Sequence, residues 1–217
     1  MTPEEHLRQV DPILGQVMDE ISRGDAGAPP RLPPDPESLG DPDIPKDSFG
    51  VLVRAIVSQN ISSSASRSIF RKLKDRHGDR LPTPQELLMD DPEELRRGAG
   101  LSHAKMTSLR SLAECIRSGA LDLDRLQELT DDEVIAKLDV VKGIGIWTAD
   151  MFLVFHLHRP DVLPVGDLEL RRVAAKVYDL PTAPTPTELT RIAEPWRPYR
   201  TLACLYLWQL AEQAPRL

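Results

Sequence analysis

The sequence has no uninterrupted apolar run of about 18 residues or more, which removes a membrane-spanning helix from consideration. It opens Met1-Thr-Pro-Glu-Glu5, with neither the basic flank nor the apolar core of a secretory signal, so an intracellular protein is expected. Cysteine is scarce. Cys115 and Cys204 are too few for a disulfide framework or a four-thiolate cluster, and each sits in an apolar helical pattern that suits a core position. The five histidines show no zinc spacing, since His156 and His158 lie two apart on a helical stretch and point to different faces. Net positive charge is missing too: at −7 the chain lacks the overall electrostatic grip that nucleic-acid affinity normally draws from clustered Lys and Arg.

What is present is an ordinary globular composition, 41% hydrophobic and 28% charged, which argues against disorder. The charge is unevenly placed. Arg67, Arg71, Lys72, Lys74, Arg76 and Arg80 cluster, while acids gather in residues 84–94 and 122–133. A local basic face and a merely solvated helix face both fit that cluster.

Nearly every periodic segment reads as helix, so the class is all-α. The first is Pro3–Ile21, and a proline- and glycine-rich connection follows over Gly24–Lys46. Helices are then predicted at Phe49–Ser58 behind Asp47 or Ser48, Ser62–His77 stopped by Gly78, Pro84–Met89 behind Thr83, Pro92–Gly98 and Ser102–Ser118. The capping box Thr130-Asp-Asp-Glu133 opens a helix to Val140. Ile146–His158, Asp167–Tyr178, Pro186–Ala193 behind Thr185, and Pro198–Ala211 complete the chain.

The stretch Leu138-Asp-Val-Val-Lys-Gly-Ile-Gly-Ile-Trp-Thr-Ala-Asp150 joins two of these helices through Gly143-x-Gly145. Glycine at both positions permits a positive φ and a close approach of a ligand to the backbone. The amides opening the Ile146 helix carry the positive end of its dipole and suit a phosphate, with Lys142 as a flanking cation. A plain helix–helix turn fits the same residues. Downstream, Leu163-Pro-Val-Gly-Asp167 sets a carboxylate at a helix start, either as a simple N-cap or as a fixed negative charge beside a ligand. Ser62, Ser63 and Ser64 offer a cap or a phosphate contact, and Arg171 and Arg172 stand close enough to neutralise a phosphate or Asp167.

Val141-Lys-Gly-Ile-Gly-Ile-Trp-Thr-Ala-Asp150, Leu163–Asp167 and Leu52-Val-Arg-Ala-Ile-Val-Ser-Gln59, in that joint arrangement, resemble the helix–hairpin–helix (HhH-GPD) DNA glycosylase superfamily, specifically its 3-methyladenine DNA glycosylase II family. Arg197-Pro-Tyr-Arg200 and Leu205-Tyr-Leu-Trp208 are similar to that family's last helix. The resemblance runs from about Phe49 to the C-terminus. It implies a two-lobed helical fold with the active-site cleft between lobes, in a compact form, because the stretch before Phe49 leaves no room for the N-terminal mixed β domain of larger bacterial members. The lobes are then expected as 48–135, carrying a minor-groove wedge, and 136–217, carrying hairpin and catalysis, with 1–47 packing on the latter.

The resemblance also implies roles. Asp167 falls on the catalytic aspartate, and Trp147 and Trp208 fall on aromatic walls of the base pocket, although core packing explains both tryptophans equally. Gln59 and Asn60 fall on the wedge, where some relatives carry a leucine. Lys142, Gly143 and Gly145 would bind the DNA backbone, and the main-chain carbonyls of Asp139, Val141 and Ile144 fall where relatives often hold a monovalent cation, Na or K. No cofactor is required. Iron–sulfur cysteines of other branches are absent, and Trp147 stands where bifunctional branches place a Schiff-base lysine, so no lyase step is expected. Trp196 and Tyr199 are assigned to core or rim and Asp150 to structural hydrogen bonding.

The implied activity is hydrolysis of the N-glycosidic bond of cationic alkylated purines, such as 3-methyladenine and 7-methylguanine, in double-stranded DNA by a monomer in the cytoplasm or on the nucleoid. A non-catalytic module that binds damaged or bent DNA, and a glycosylase for other lesions, are the competing readings.

Overall fold

A computed structural model describes residues 1–23, 29–31 and 45–213. Most of the proline-rich connection lies outside the described residues. Among those described there are twelve α-helices, two short 3-10 turns and no strand. The helices are α1 (Pro3–Val10), α2 (Pro12–Arg23), α3 (Ser48–Ser58), α4 (Ser63–Arg76), α5 (Pro84–Met89), α6 (Pro92–Ala99), α7 (His103–Arg117), α8 (Asp131–Asp139), α9 (Ile146–Phe155), α10 (Leu168–Val177), α11 (Pro186–Ala193) and α12 (Arg200–Gln213). No described helix is long and apolar enough to cross a membrane.

Local chemistry starts most of them. Thr2, Thr83, Thr130 and Thr185 each form a full capping box with a glutamate three residues on, so two helix-end donors are satisfied at each start. Gly100 ends α6 in the left-handed conformation at φ 78°, and Asp47 rather than Ser48 caps α3.

Two expected boundaries move. The single helix predicted over Pro3–Ile21 is broken at Asp11-Pro12, because proline supplies no backbone N–H and pushes the residue before it into extended backbone, φ −141° and ψ 91° at Asp11. The helix predicted to reach His158 stops at Phe155: His158 turns left-handed at φ 55°, and Arg159 N–H donates back to the Leu153 carbonyl at 2.9 Å.

The chain divides into two compact units, Met1–Leu39 with Leu153–Leu217, and Gly40–Phe152. The division falls inside α9, whereas a boundary at 135/136 was expected. The hairpin belongs with 40–152 because it is built on α7, where Lys142 N–H donates to Ser111 Oγ at 3.0 Å.

In the unit made from both chain segments, Leu14, Met18 and Ile21 of α2 are buried with Leu170, Val173 and Ala174 of α10 and Leu202, Ala203 and Leu207 of α12. Asp11 locks this arrangement. Its Oδ1 accepts from Ile13 N–H (3.1 Å) and Leu14 N–H (3.0 Å), and its Oδ2 accepts from Trp196 Nε1 (2.8 Å) and Tyr178 OH (2.6 Å). Burial and the adjacent Asp11 carboxylate raise the Tyr178 phenol well above its ordinary range. The loop after α9 is pinned to the start of α12: Asp161 accepts from Arg197 (2.6 Å) and Arg200 (2.7 Å), and Thr201 Oγ1 receives Val162 N–H at 3.0 Å while donating to the Arg159 carbonyl at 2.7 Å.

In the unit 40–152, Leu52, Val53, Ile56 and Val57 of α3 are buried with Phe70 and Leu73 of α4 and Leu109 and Leu112 of α7. The Arg110 guanidinium donates to the last carbonyls of α5, Leu87 at 3.1 Å and Leu88 at 3.3 Å, which satisfies a helix end that proline-started α6 cannot continue.

Candidate functional site

Gln59, Asn60, Lys142, Gly143, Gly145 and Trp147 all lie in the unit 40–152, and Asp167 and Trp208 in the other. The hairpin turn is closed by Val141 N–H to the Leu138 carbonyl (3.1 Å) and Ile144 N–H to the Val141 carbonyl (3.0 Å). Gly143 is required twice over. Its φ is +85°, and a Cβ there would stand 2.2 Å from Ser108 Oγ, a buried hydroxyl held by the Ala104 carbonyl at 3.0 Å. Gly145 does not use the positive φ that glycine permits: it is absent from the left-handed residues, and a Cβ would meet nothing within 4 Å. Its carbonyl accepts Ala149 N–H at 3.1 Å, so it stands at the N-cap of α9 with an open approach to its backbone.

Gln59 and the hairpin are brought together. Gln59 Nε2 donates to the Gly143 carbonyl at 2.8 Å and lies 3.4 Å from Thr148 Oγ1 on the first turn of α9. Asn60 is exposed and left-handed at φ 56°, which turns the chain from α3 into α4, and the next residue, Ile61, is an exposed apolar side chain. Gln59 is therefore a brace, and the tip of the turn is Asn60-Ile61. Ser62 caps α4, its Oγ accepting Ala65 N–H at 3.3 Å.

Trp147 is 47% exposed, which removes the core-packing reading for this residue. Its neighbours Thr148, Ala149 and Asp150 turn inward. Asp150 is buried, and desolvation followed by the negative charge of Asp131 pushes its carboxyl up to about 7. Trp196, by contrast, is wholly buried, and Tyr199 is half-buried with its ring edge-on to His6 at 5.5 Å.

In the other unit, Leu163–Asp167 is a compact turn closed by Val165 N–H to the Leu163 carbonyl (2.8 Å) and Asp167 N–H to the Pro164 carbonyl (2.9 Å). Asp167 is the N-cap of α10, Oδ1 accepting Leu170 N–H at 2.7 Å. The same Oδ1 lies 3.5 Å from Trp208 Nε1, a long contact that nevertheless sets the indole beside the carboxylate. The capping carboxylate and the neighbour of the indole are thus one group. Trp208 stacks on Phe155, ring centroids 5.9 Å apart at 29°. Arg171 donates to the Pro184 carbonyl at 3.4 Å and Arg172 pairs with Glu169 at 3.8 Å.

Residues absent from the sequence reading include Ser108 and Ser111, Thr148 and Phe155. The two serines, three apart, interrupt the apolar face Met106–Leu109–Leu112 of α7, which is a signal for a backbone packing closely there.

The sequence pattern of the HhH-GPD superfamily base excision DNA repair proteins matches residues 53–198, from the second half of α3 through the hairpin and Asp167. The chain belongs to this family. DNA-3-methyladenine glycosylase 1 of Schizosaccharomyces pombe is 36% identical over 171 residues, which are 78% of this chain and 75% of that protein. Among solved structures, the S. pombe 3-methyladenine DNA glycosylase Mag1 in complex with abasic DNA superposes with a TM-score of 0.77 at 30% identity, covering all of both chains. The DNA-3-methyladenine glycosidase of Bacillus halodurans gives 0.79 at 34% identity, covering 98% of this chain and 90% of that one. As an HhH-GPD protein, the chain has its two-glycine turn accounted for, with Gly143 meeting a packing demand and Gly145 keeping the helix start open.

Proposed function

We propose that this HhH-GPD protein is a monofunctional DNA glycosylase that hydrolyses the N-glycosidic bond of cationic alkylated purines, such as 3-methyladenine and 7-methylguanine, and leaves an abasic site. The observation that carries the reading is the pairing of the Asp167 carboxylate with the Trp208 indole at the start of α10. The names of the three relatives reported above, each a 3-methyladenine enzyme, support the substrate class.

The target nucleotide leaves the stack first, at a cost of a few kcal/mol that is smallest for damaged bases. The exposed Asn60-Ile61 tip enters the minor groove while the amides opening α9, with Lys142, hold the backbone. A cationic base is attracted to the electron-rich face of an indole such as Trp208, beside Asp167, by about 0.5–2 kcal/mol. As the glycosidic bond breaks, its electron pair neutralises the departing base and positive charge grows on the sugar. Asp167 stabilises that cation, and water adds to C1′ and gives up a proton to the carboxylate or to solvent. Trp147 offers no amine for a Schiff base, so no strand cleavage follows.

A monovalent cation suits the hairpin, where the Asp139, Val141 and Ile144 carbonyls are neutral, hard oxygen donors and the Val141 carbonyl spends one lone pair on the turn. Bound there, the ion would supply charge toward a DNA phosphate. The enzyme works as a monomer on chromosomal DNA, in the cytoplasm or on the nucleoid.

Base release from a methylated duplex by the wild type and by Asp167→Asn tests the proposal. Asparagine caps a helix about as well as aspartate, so folding is preserved while release falls by about 10²-fold or more. Unchanged release by the variant would remove Asp167 from the chemistry. Tight duplex binding by a wild type that releases no lesion base would favour a non-catalytic binding module instead.

A further inference from the structure

Most arginines of the 40–152 unit that surround α5 and α6 are already engaged. Arg76 donates to Asp90 at 2.9 and 3.0 Å, Arg80 to Glu86 at 2.6 and 2.7 Å, and Arg96 to Glu93 at 2.9 Å. On the earlier turns of α4 the pattern reverses. Arg67, Arg71 and Lys72 are exposed, and none forms an ion pair with a described residue. Arg67 and Arg71 are four apart and share one face of the helix, with Lys72 at its flank and Asp75 marking its far limit one turn on.

That face has a fixed place relative to the hairpin. Alpha-helix α4 leaves the turn that Gln59 braces against the Gly143 carbonyl, and Ser58 and Ser66 hydroxyls bond at 2.7 Å to hold the two arms of the turn together. From the Ser62 cap, Arg67 and Arg71 lie about 8 and 14 Å along the axis. Guanidinium groups with no carboxylate partner among the described residues match the planar, bidentate acceptor geometry of phosphate, and in a chain of net charge −7 they are a local exception.

We propose that Arg67 and Arg71, flanked by Lys72, form a second face for the phosphates of duplex DNA, beside the hairpin and separate from it. The proposal rests on the DNA glycosylase reading. It explains how an acidic protein holds a polyanion: the charge that counts is the few cations left unneutralised by the fold, and the rest of the acidity is placed elsewhere.

The test is the salt dependence of affinity for one methylated duplex, measured for wild type, Arg67→Gln with Arg71→Gln, and Arg76→Gln with Arg80→Gln. The last two lose the same charge. Neutralising two phosphate contacts should lower the slope of log affinity against log salt by about 1.8 for the first pair only. Equal slopes in both variants, or an unchanged slope in the first, overturn the proposal. Base release by the wild type is followed on the same duplex. Release with an unchanged Arg67/Arg71 slope defeats this inference alone, whereas a wild type that neither binds nor releases defeats the glycosylase reading with it.

Discussion

A single methyl group placed on Gly143 tests how the hairpin is built. Gly143→Ala holds a side chain at φ +85°, a left-handed strain of about 1–2 kcal/mol. Its Cβ would also lie 2.2 Å from Ser108 Oγ and 3.2 Å from Ser108 Cβ, an overpacking worth about 1–3 kcal/mol. The variant should therefore lose about 3 kcal/mol of stability in urea unfolding followed by circular dichroism. The two contributions separate in a cycle. Ser108→Ala removes the hydroxyl and its bond to the Ala104 carbonyl, a back-bond of small worth within α7, so it should be mild by itself. In its background Gly143→Ala should cost about 1–2 kcal/mol less, leaving the backbone strain. Gly145→Ala is the control: with open space around its Cβ it should stay within about 0.5 kcal/mol of wild type while weakening DNA binding. A Gly143→Ala protein as stable as wild type, or one indifferent to Ser108→Ala, would refute the packing argument.

Two further outcomes concern buried carboxylates. Asp11→Ala leaves the Trp196 indole N–H and the first amides of α2 without their acceptor, and should cost about 3 kcal/mol, read by denaturation and by a shift in Trp196 fluorescence. The Asp150 carboxyl is raised to about 7 in the folded chain, so between the ordinary carboxylate range and pH 7 the folded state binds more protons than the unfolded one. Stability then falls as pH climbs through that window. Asp150→Asn should match wild type near pH 4 and exceed it at pH 8, by on the order of 2 kcal/mol after allowance for screening. Parallel stability–pH curves would sink this account.

What the sequence reveals follows the range of the interaction. Caps are read from residues three apart, and Thr130, Thr185 and Asp167 are all legible because the capping oxygen and the amide that donates to it are neighbours along the chain. The break at Asp11-Pro12 is also local, but the apolar stripe from Leu7 to Ile21 keeps helical period across it and hides the proline. Asp11 itself was illegible, since its partners Tyr178 and Trp196 lie 167 and 185 residues away. The two hairpin glycines look alike in sequence, and the left-handed backbone at Gly143 together with Ser108, brought in by α7, shows that one is constrained and the other open. The same holds for the basic stretch of α4, where Asp90 and Glu86 sort the engaged arginines from the unengaged.

The unit that carries Asp167 is discontinuous, with Gly40–Phe152 inserted between its two parts. On the ribosome this imposes an order of events. Leu14, Met18 and Ile21 emerge well before their partners on α10 and α12, which follow about 150 and about 185 residues later, a delay of roughly 8–40 s at ordinary elongation rates. The inserted segment can assemble during that interval, while the apolar face of α2 waits uncovered. A nascent chain of this protein therefore carries the apolar face of α2 uncovered until α10 and α12 have been made, and chaperone occupancy should concentrate there.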